Sequence, residues 1–112
     1  MDNRLKNRRD FDACFKKGKK VYSKTLSMYY IEKSKSEVKI GISVGKKHGN
    51  AVKRNRIKRL LRATYIPMIK KIIKPVYIVF VPKTEENYDY FNFQKSVETM
   101  LKKENLIDEN IQ

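Results

Sequence analysis

Apolar positions in this chain change period several times, and each change predicts an element. Phe11, Cys14 and Phe15 fall at i, i+3, i+4, which predicts a helix over about Arg8–Lys17. Asn7 caps it, Asp10 sits in its first turn and Gly18 stops it. From Lys24 to Glu32 the period drops to two, with Leu26, Met28 and Tyr30 on one face and Thr25, Ser27, Tyr29 and Ile31 on the other. After a turn at Lys33–Ser36, Val38, Ile40, Ile42 and Val44 alternate as a second strand, expected to pair with the first as a hairpin. Ile57, Leu60, Leu61 and Thr64 restore helical spacing, in a helix that starts at Ala51 behind the cap Asn50 and is ended or kinked at Pro67. Val76–Val81 is a continuous apolar run of strand length, read as a central strand covered on both faces. Asp89 caps a last helix whose Phe93, Val97, Met100 and Leu101 cover the sheet.

Charge changes this picture from a fold to a function class. At 112 residues the chain is one domain, residues 1–112, with a formal net charge of +15. Residues 1–84 hold 24 basic and 5 acidic side chains, so the cationic surface belongs to the first three quarters. Such an excess attracts polyanions in a salt-dependent way. The densest part is Lys46–Arg62, where Lys46, Lys47, Lys53, Arg54, Arg56, Lys58, Arg59 and Arg62 are interleaved with the apolar stripe, and no carboxylate occurs from Val38 to Thr84. A solvated helix ordinarily mixes signs; like charges at i, i+4 cost a few tenths of a kcal/mol per pair, which an anionic partner would relieve. Asn55, between two arginines, adds an amide that both donates and accepts, suited to a base edge or a 2′-hydroxyl.

Protein-based catalysis finds little support. His48 is the single histidine and reads as a surface or phosphate-proximal residue; Cys14 is the single cysteine, read as a small apolar core group in a reducing, cytosolic setting. Asp10 and Asp12 face different ways, and Gly41–Lys47 fails the spacing of a phosphate-binding P-loop. No apolar run approaches a membrane span. Aromatic rings do lie near positive charge. Tyr29, on the more polar strand face, suits stacking on unpaired bases; Phe15 suits either stacking or core; Phe11 reads as core.

The central stretch, with Arg54-Asn55-Arg56 at its heart, resembles the signature of the protein subunit of bacterial ribonuclease P. The resemblance extends through Arg4-Leu5-Lys6, Phe11, Phe15-Lys16-Lys17-Gly18, the alternating strands and Val76–Val81. It implies an α+β sandwich of a four-stranded mixed sheet and about three helices, with a left-handed βαβ crossover through the basic helix. The fourth strand then lies around Lys19–Ser23 or in a break within Thr25–Val44. The implied role is as a subunit of an endoribonuclease, a hydrolase that removes the 5′ leader of precursor tRNA. Catalysis would rest with magnesium ions used by the RNA subunit, with no metal held by a protein motif and no catalytic side chain in this chain. The partners would be the catalytic RNA and precursor tRNA, with the free protein monomeric. Lys46, Lys47, Lys53, Arg54, Asn55, Arg56, Lys58, Arg59 and Arg62 would meet the catalytic RNA; Phe11, Phe15, Lys16, Lys17 and Tyr29 would hold the leader. A structural RNA-binding protein is the main rival, followed by a DNA-binding module and an autonomous nuclease.

Overall fold

The computed structural model describes residues 3–84 and 88–108; the middle of the loop before the last helix and the polar tail lie outside the described residues. Three helices and four strands follow in the order α1 (Arg8–Lys17), β1 (Lys19–Tyr22), β2 (Leu26–Glu32), β3 (Val38–Ile42), α2 (Ala51–Tyr65), β4 (Val76–Pro82) and α3 (Tyr90–Lys103). The caps are those the sequence predicts: Asn7, Asn50 and Asp89 each accept a backbone N–H from the first turn of their helix. Pro67 does not stop the chain abruptly. Its fixed φ lets α2 tighten into a 3-10 segment, Ile66–Lys71.

The sheet order is β1-β2-β4-β3. The fourth strand is therefore the short Lys19–Tyr22 segment, antiparallel to β2. The expected β2–β3 hairpin does not form. Instead β4 inserts between them, antiparallel to β2 and parallel to β3. Its run from Val76 to Phe80 is buried throughout, so only the central position hides both of its faces. β2 begins at Leu26, and Thr25 does not share the face of Ser27 and Tyr29. Its hydroxyl turns toward α3 and pairs with Ser96 Oγ at 2.7 Å.

Even-numbered residues of β4 decide the hand of the crossover. Val76 donates its N–H to Glu37 O, and Phe80 O accepts from Ser43 N–H, so these residues aim their backbone groups at β3. Their side chains point into the core shared with Ile57 and Leu61 of α2. For L-residues this places β3 to the right of β4 when viewed from the α2 side with both strands running upward. The chain leaves β3, passes in front through α2 and enters β4 on its left. The crossover is left-handed, against the hand found in about 98% of such units.

Two layers of side chains hold helices on opposite faces. Ile78, Phe80, Met28 and Ile40 pack with Ile57 and Leu61 of α2 and with Phe93, Val97, Met100 and Leu101 of α3. Leu106 and Ile107, beyond the helix, return to the same core. On the reverse face Leu5, Cys14, Tyr77 and Val79 form a smaller cluster under α1, with Phe11 and Tyr29 at its margin. Asn3–Leu5 closes the outer edge of β3: Leu5 N–H reaches Ile40 O at 3.1 Å, and Ile40 N–H reaches Asn3 O at 2.8 Å.

The β1 side is tied down by one carboxylate. Glu104, with a side chain 7% exposed, receives Lys19 Nζ at 2.7 Å and the Tyr30 hydroxyl at 2.7 Å. These two donors, lysine first, hold its carboxyl below the usual carboxylate range. A lowered folded-state pKa gives stability that is present above the unfolded value of about 4.3 and fades as pH falls through the folded value. Glu104→Gln is thus expected to be less stable near neutral pH and to lose less on acidification. Denaturant titrations at several acid pH values with the same slope for both proteins would count against this role.

Candidate RNA interface

The basic helix is presented by a loop that the structure locks from behind. Gly45 leads into a short 3-10 turn, Lys46–His48, and Gly49 then takes φ 117°, a conformation that L side chains rarely adopt. His48 is not on the surface as its basic surroundings imply. It is 2% exposed, with Nε2 2.8 Å from Pro82 O at the end of β4 and Nδ1 3.3 Å from Gly45 N. A carbonyl only accepts, so Nε2–H donates to Pro82, and Nδ1 is the acceptor for Gly45 N–H. Lys46 and Lys47 remain exposed at the approach to α2.

From Asn50 the chain rises as a 15-residue helix with no acidic residue in its first turn. Ile57, Leu61, Thr64 and Tyr65 are buried, as the helical stripe requires; Leu60 is half-buried at its edge. The remaining surface is cationic in three zones. Asn55, Lys58, Arg59 and Arg62 line a shallow depression of about 480 Å³ on the crest. Lys53 and Arg56 flank a more apolar groove of about 520 Å³, floored by Ile57 and Leu60 and bounded by Tyr88. Arg54 lies half-buried, and its Nε has no acceptor among the described residues. An unmet buried donor costs about 1–3 kcal/mol, which an acceptor from a partner would relieve. The positive end of the helix dipole adds to Lys46, Lys47 and Lys53 at the N-terminus.

Sequence reasoning missed Arg4 as a member of this surface. Leu5 packs under α1, so its neighbour Arg4 turns to the other side of the β3 edge, toward α2. The Tyr65 hydroxyl reports the result: burial raises its pKa, while Arg62 and then Arg4 oppose that rise. Only the register of Asn3–Leu5 beside β3 reveals the placement.

The second group of predicted site residues gathers on the reverse face, between α1 and the sheet. Phe15 and Tyr29 meet edge to face, ring centroids 4.9 Å apart, and Phe15 is 39% exposed. Phe15 is therefore available for stacking rather than being consumed by the core. Phe11 is half-buried and lies across Gly41: a Cβ at that glycine would meet Phe11 Cζ at 2.4 Å. Its ring thus seats α1 on the sheet. Lys16 and Lys17 stand exposed in the last turn of α1. Cys14 faces inward, its thiol 3.7 Å from Tyr77 O, and burial pushes its pKa up to about 11, so it is a packing group and not a nucleophile.

Two neighbours of Tyr29 also escaped the sequence reading. Lys20 is its cross-strand partner, with Nζ 5.2 Å from the Tyr29 ring centroid and 4.5 Å from that of Tyr22. Hydrogen bonds to the Tyr22 and Tyr29 hydroxyls raise the Lys20 pKa, keeping it cationic. An alternating Lys20–Tyr22 pattern would have identified them once β1 was assigned.

Two cationic surfaces thus lie on opposite faces of one small sheet. A family model for ribonuclease P matches residues 1–105. The chain belongs to the ribonuclease P protein family. Among relatives, the ribonuclease P protein component of Streptococcus pyogenes is 32% identical over 109 residues, covering 97% of this chain and 92% of the relative. The solved ribonuclease P protein of Staphylococcus aureus superposes with a TM-score of 0.83 at 29% identity, over 96% of this chain and all of that one. The Thermotoga maritima protein gives 0.79 at 28% identity, over 89% and 96%. The chain is a bacterial ribonuclease P protein subunit, and membership implies partnership with the ribonuclease P RNA. The four-stranded mixed sheet with three helices is the architecture of these relatives.

No three His, Cys, Asp or Glu side chains converge among the described residues, and the groups that crowd both surfaces are ammonium and guanidinium ions, which repel a divalent cation. No helix among the described residues is long and apolar enough to cross a membrane.

Proposed function

We propose that this subunit holds two RNAs in register. The cationic crest of α2, with Lys46, Lys47 and the Arg54-Asn55-Arg56 triplet, binds the catalytic RNA. The cleft of Phe15, Tyr29 and Lys20, bordered by Phe11, Lys16 and Lys17, takes the single-stranded 5′ leader of precursor tRNA. The observation that carries this reading is the pairing of an acid-free basic helix with an aromatic, lysine-lined cleft on the opposite sheet face.

The protein's contribution is electrostatic and positional. Phosphates of both RNAs are neutralised by fixed cations, so fewer magnesium ions are needed to bring them together. Stacking in the cleft adds affinity for a substrate that carries a leader over a product that lacks one. Hydrolysis of the phosphodiester bond is left to the RNA subunit and its magnesium ions. The test is cleavage of a leader-bearing precursor by the cognate RNA at low magnesium, with and without this protein. Stimulation at the mature 5′ end, with no cleavage by protein alone, is the expected result. Tight RNA binding without stimulation would favour a purely structural RNA-binding role.

Arg56 supplies a narrower test. Arg56→Ala should weaken binding to the catalytic RNA and reduce the slope of log affinity against log salt by roughly 1, the signature of one lost phosphate contact. A slope equal to that of the parent would place Arg56 away from the phosphates.

A further inference from the structure

A second lysine-lined groove, of about 320 Å³, lies where the β1–β2 turn meets α3, on the far side of the β1 edge from the cleft. Asn92, Lys95, Ser96, Thr99 and Lys103 form one helical face of α3, and Lys24 comes from the turn. Among the described residues no carboxylate lines it. Two acids on and just after α3 are engaged elsewhere: Glu98 pairs with Lys102 at 2.8 Å on another row of the helix, and Glu104 turns in to Lys19 and Tyr30. The groove is built rather than incidental. Thr25 bonds Ser96 at 2.7 Å and the Asn92 carbonyl at 3.4 Å, fixing the turn against the helix.

The groove is continuous with the leader cleft. Phe15 touches Tyr29, Lys20 spans Tyr29 and Tyr22, and Tyr22 itself lines the groove. Tyr22 is 64% exposed at the end of an edge strand, with a cation over its ring. A large ring left in solvent beside a lysine is the stacking platform typical of single-strand binding. The last quarter of the sequence is net acidic, so only the fold shows that its lysines converge on this side.

We propose that the leader continues past the cleft, over Tyr22, into this groove, where Lys24, Lys95 and Lys103 neutralise phosphates farther from the cleavage site. Asn92 and Thr99 are placed to meet ribose hydroxyls there. The ligand class is single-stranded RNA backbone, read without regard to sequence. This inference rests on the leader-cleft reading above and extends it to a second site.

The experiment measures binding of the reconstituted holoenzyme to mature tRNA, to precursor with a leader that fills only the cleft, and to precursor with a longer leader. The double variant Lys95→Ala/Lys103→Ala removes exposed side chains and leaves the core intact. It should lower the salt slope for the long leader by roughly 1.4, at about 0.7 per single-strand phosphate contact, and leave the other two substrates unchanged. Tyr22→Ala should show the same dependence on leader length. Equal weakening of all three substrates would assign the groove to the RNA subunit and overturn the proposal, as would no change for the long leader. Tyr29→Ala in the same assay tests the cleft separately. Loss there without loss in the lysine variant overturns the extension alone; no loss in either overturns both.

Discussion

Tyr29→Ala is expected to weaken holoenzyme binding of leader-bearing precursor by about 1–3 kcal/mol, roughly 5- to 150-fold in Kd, with mature tRNA unaffected. The ring is half-buried on β2, braced edge-on by Phe15 and flanked by Lys20. Removing it takes away a stacking surface and the partner that orients both neighbours. Tyr29→Phe keeps the ring and loses only the hydroxyl that Lys20 engages, so most of the affinity should remain. Equal losses for precursor and mature tRNA would show that the effect passes through the RNA subunit or the fold. Circular dichroism of the free variant distinguishes those two causes.

His48→Ala is expected to destabilise the free protein by about 2–5 kcal/mol, because it strands two backbone groups. Pro82 C=O loses its donor in a buried site, at about 1–3 kcal/mol, and Gly45 N–H loses its acceptor in a part-buried one, at the low end of that range. The cavity left by a ring 2% exposed adds to the cost. Denaturant unfolding with an unchanged m-value would measure it. A shift below about 1 kcal/mol would mean that the loop is held by other contacts. Because His48 fastens the loop ahead of α2 to the end of β4, the variant should regain part of its stability when RNA binds the helix, by linkage.

These two residues mark the limits of sequence reading. Tyr29 was legible because β2 alternates, and a period of two assigns faces before any partner strand is known. His48 was not. Its context of lysines and glycines describes a solvated loop, whereas its decisive partner, Pro82, lies 34 residues away. The α2 surface was legible for a third reason: sequence fixes which side chains share a helical row, and six cations on the helix with two more just ahead of it, and no acid among them, leave a cationic surface whatever the helix packs against. Phe11 stood between two readings, core and cleft, and its half-buried seat across Gly41 shows the packing role that the helical stripe implied.

By itself the sequence determined the caps, the helices, the buried run of β4, the cationic excess with its acid-free central stretch and the motif that leads to the family. All of these depend on local periodicity, local hydrogen bonding or summed charge. Tertiary structure alone decided that β4 separates β2 from β3, that the crossover is left-handed, that Arg4 joins the α2 surface and that Lys20 and Tyr22 join the cleft to the α3 lysines. Each is a relation between segments distant in the chain, set by which strand edges and apolar faces must be covered together, and no local pattern encodes it.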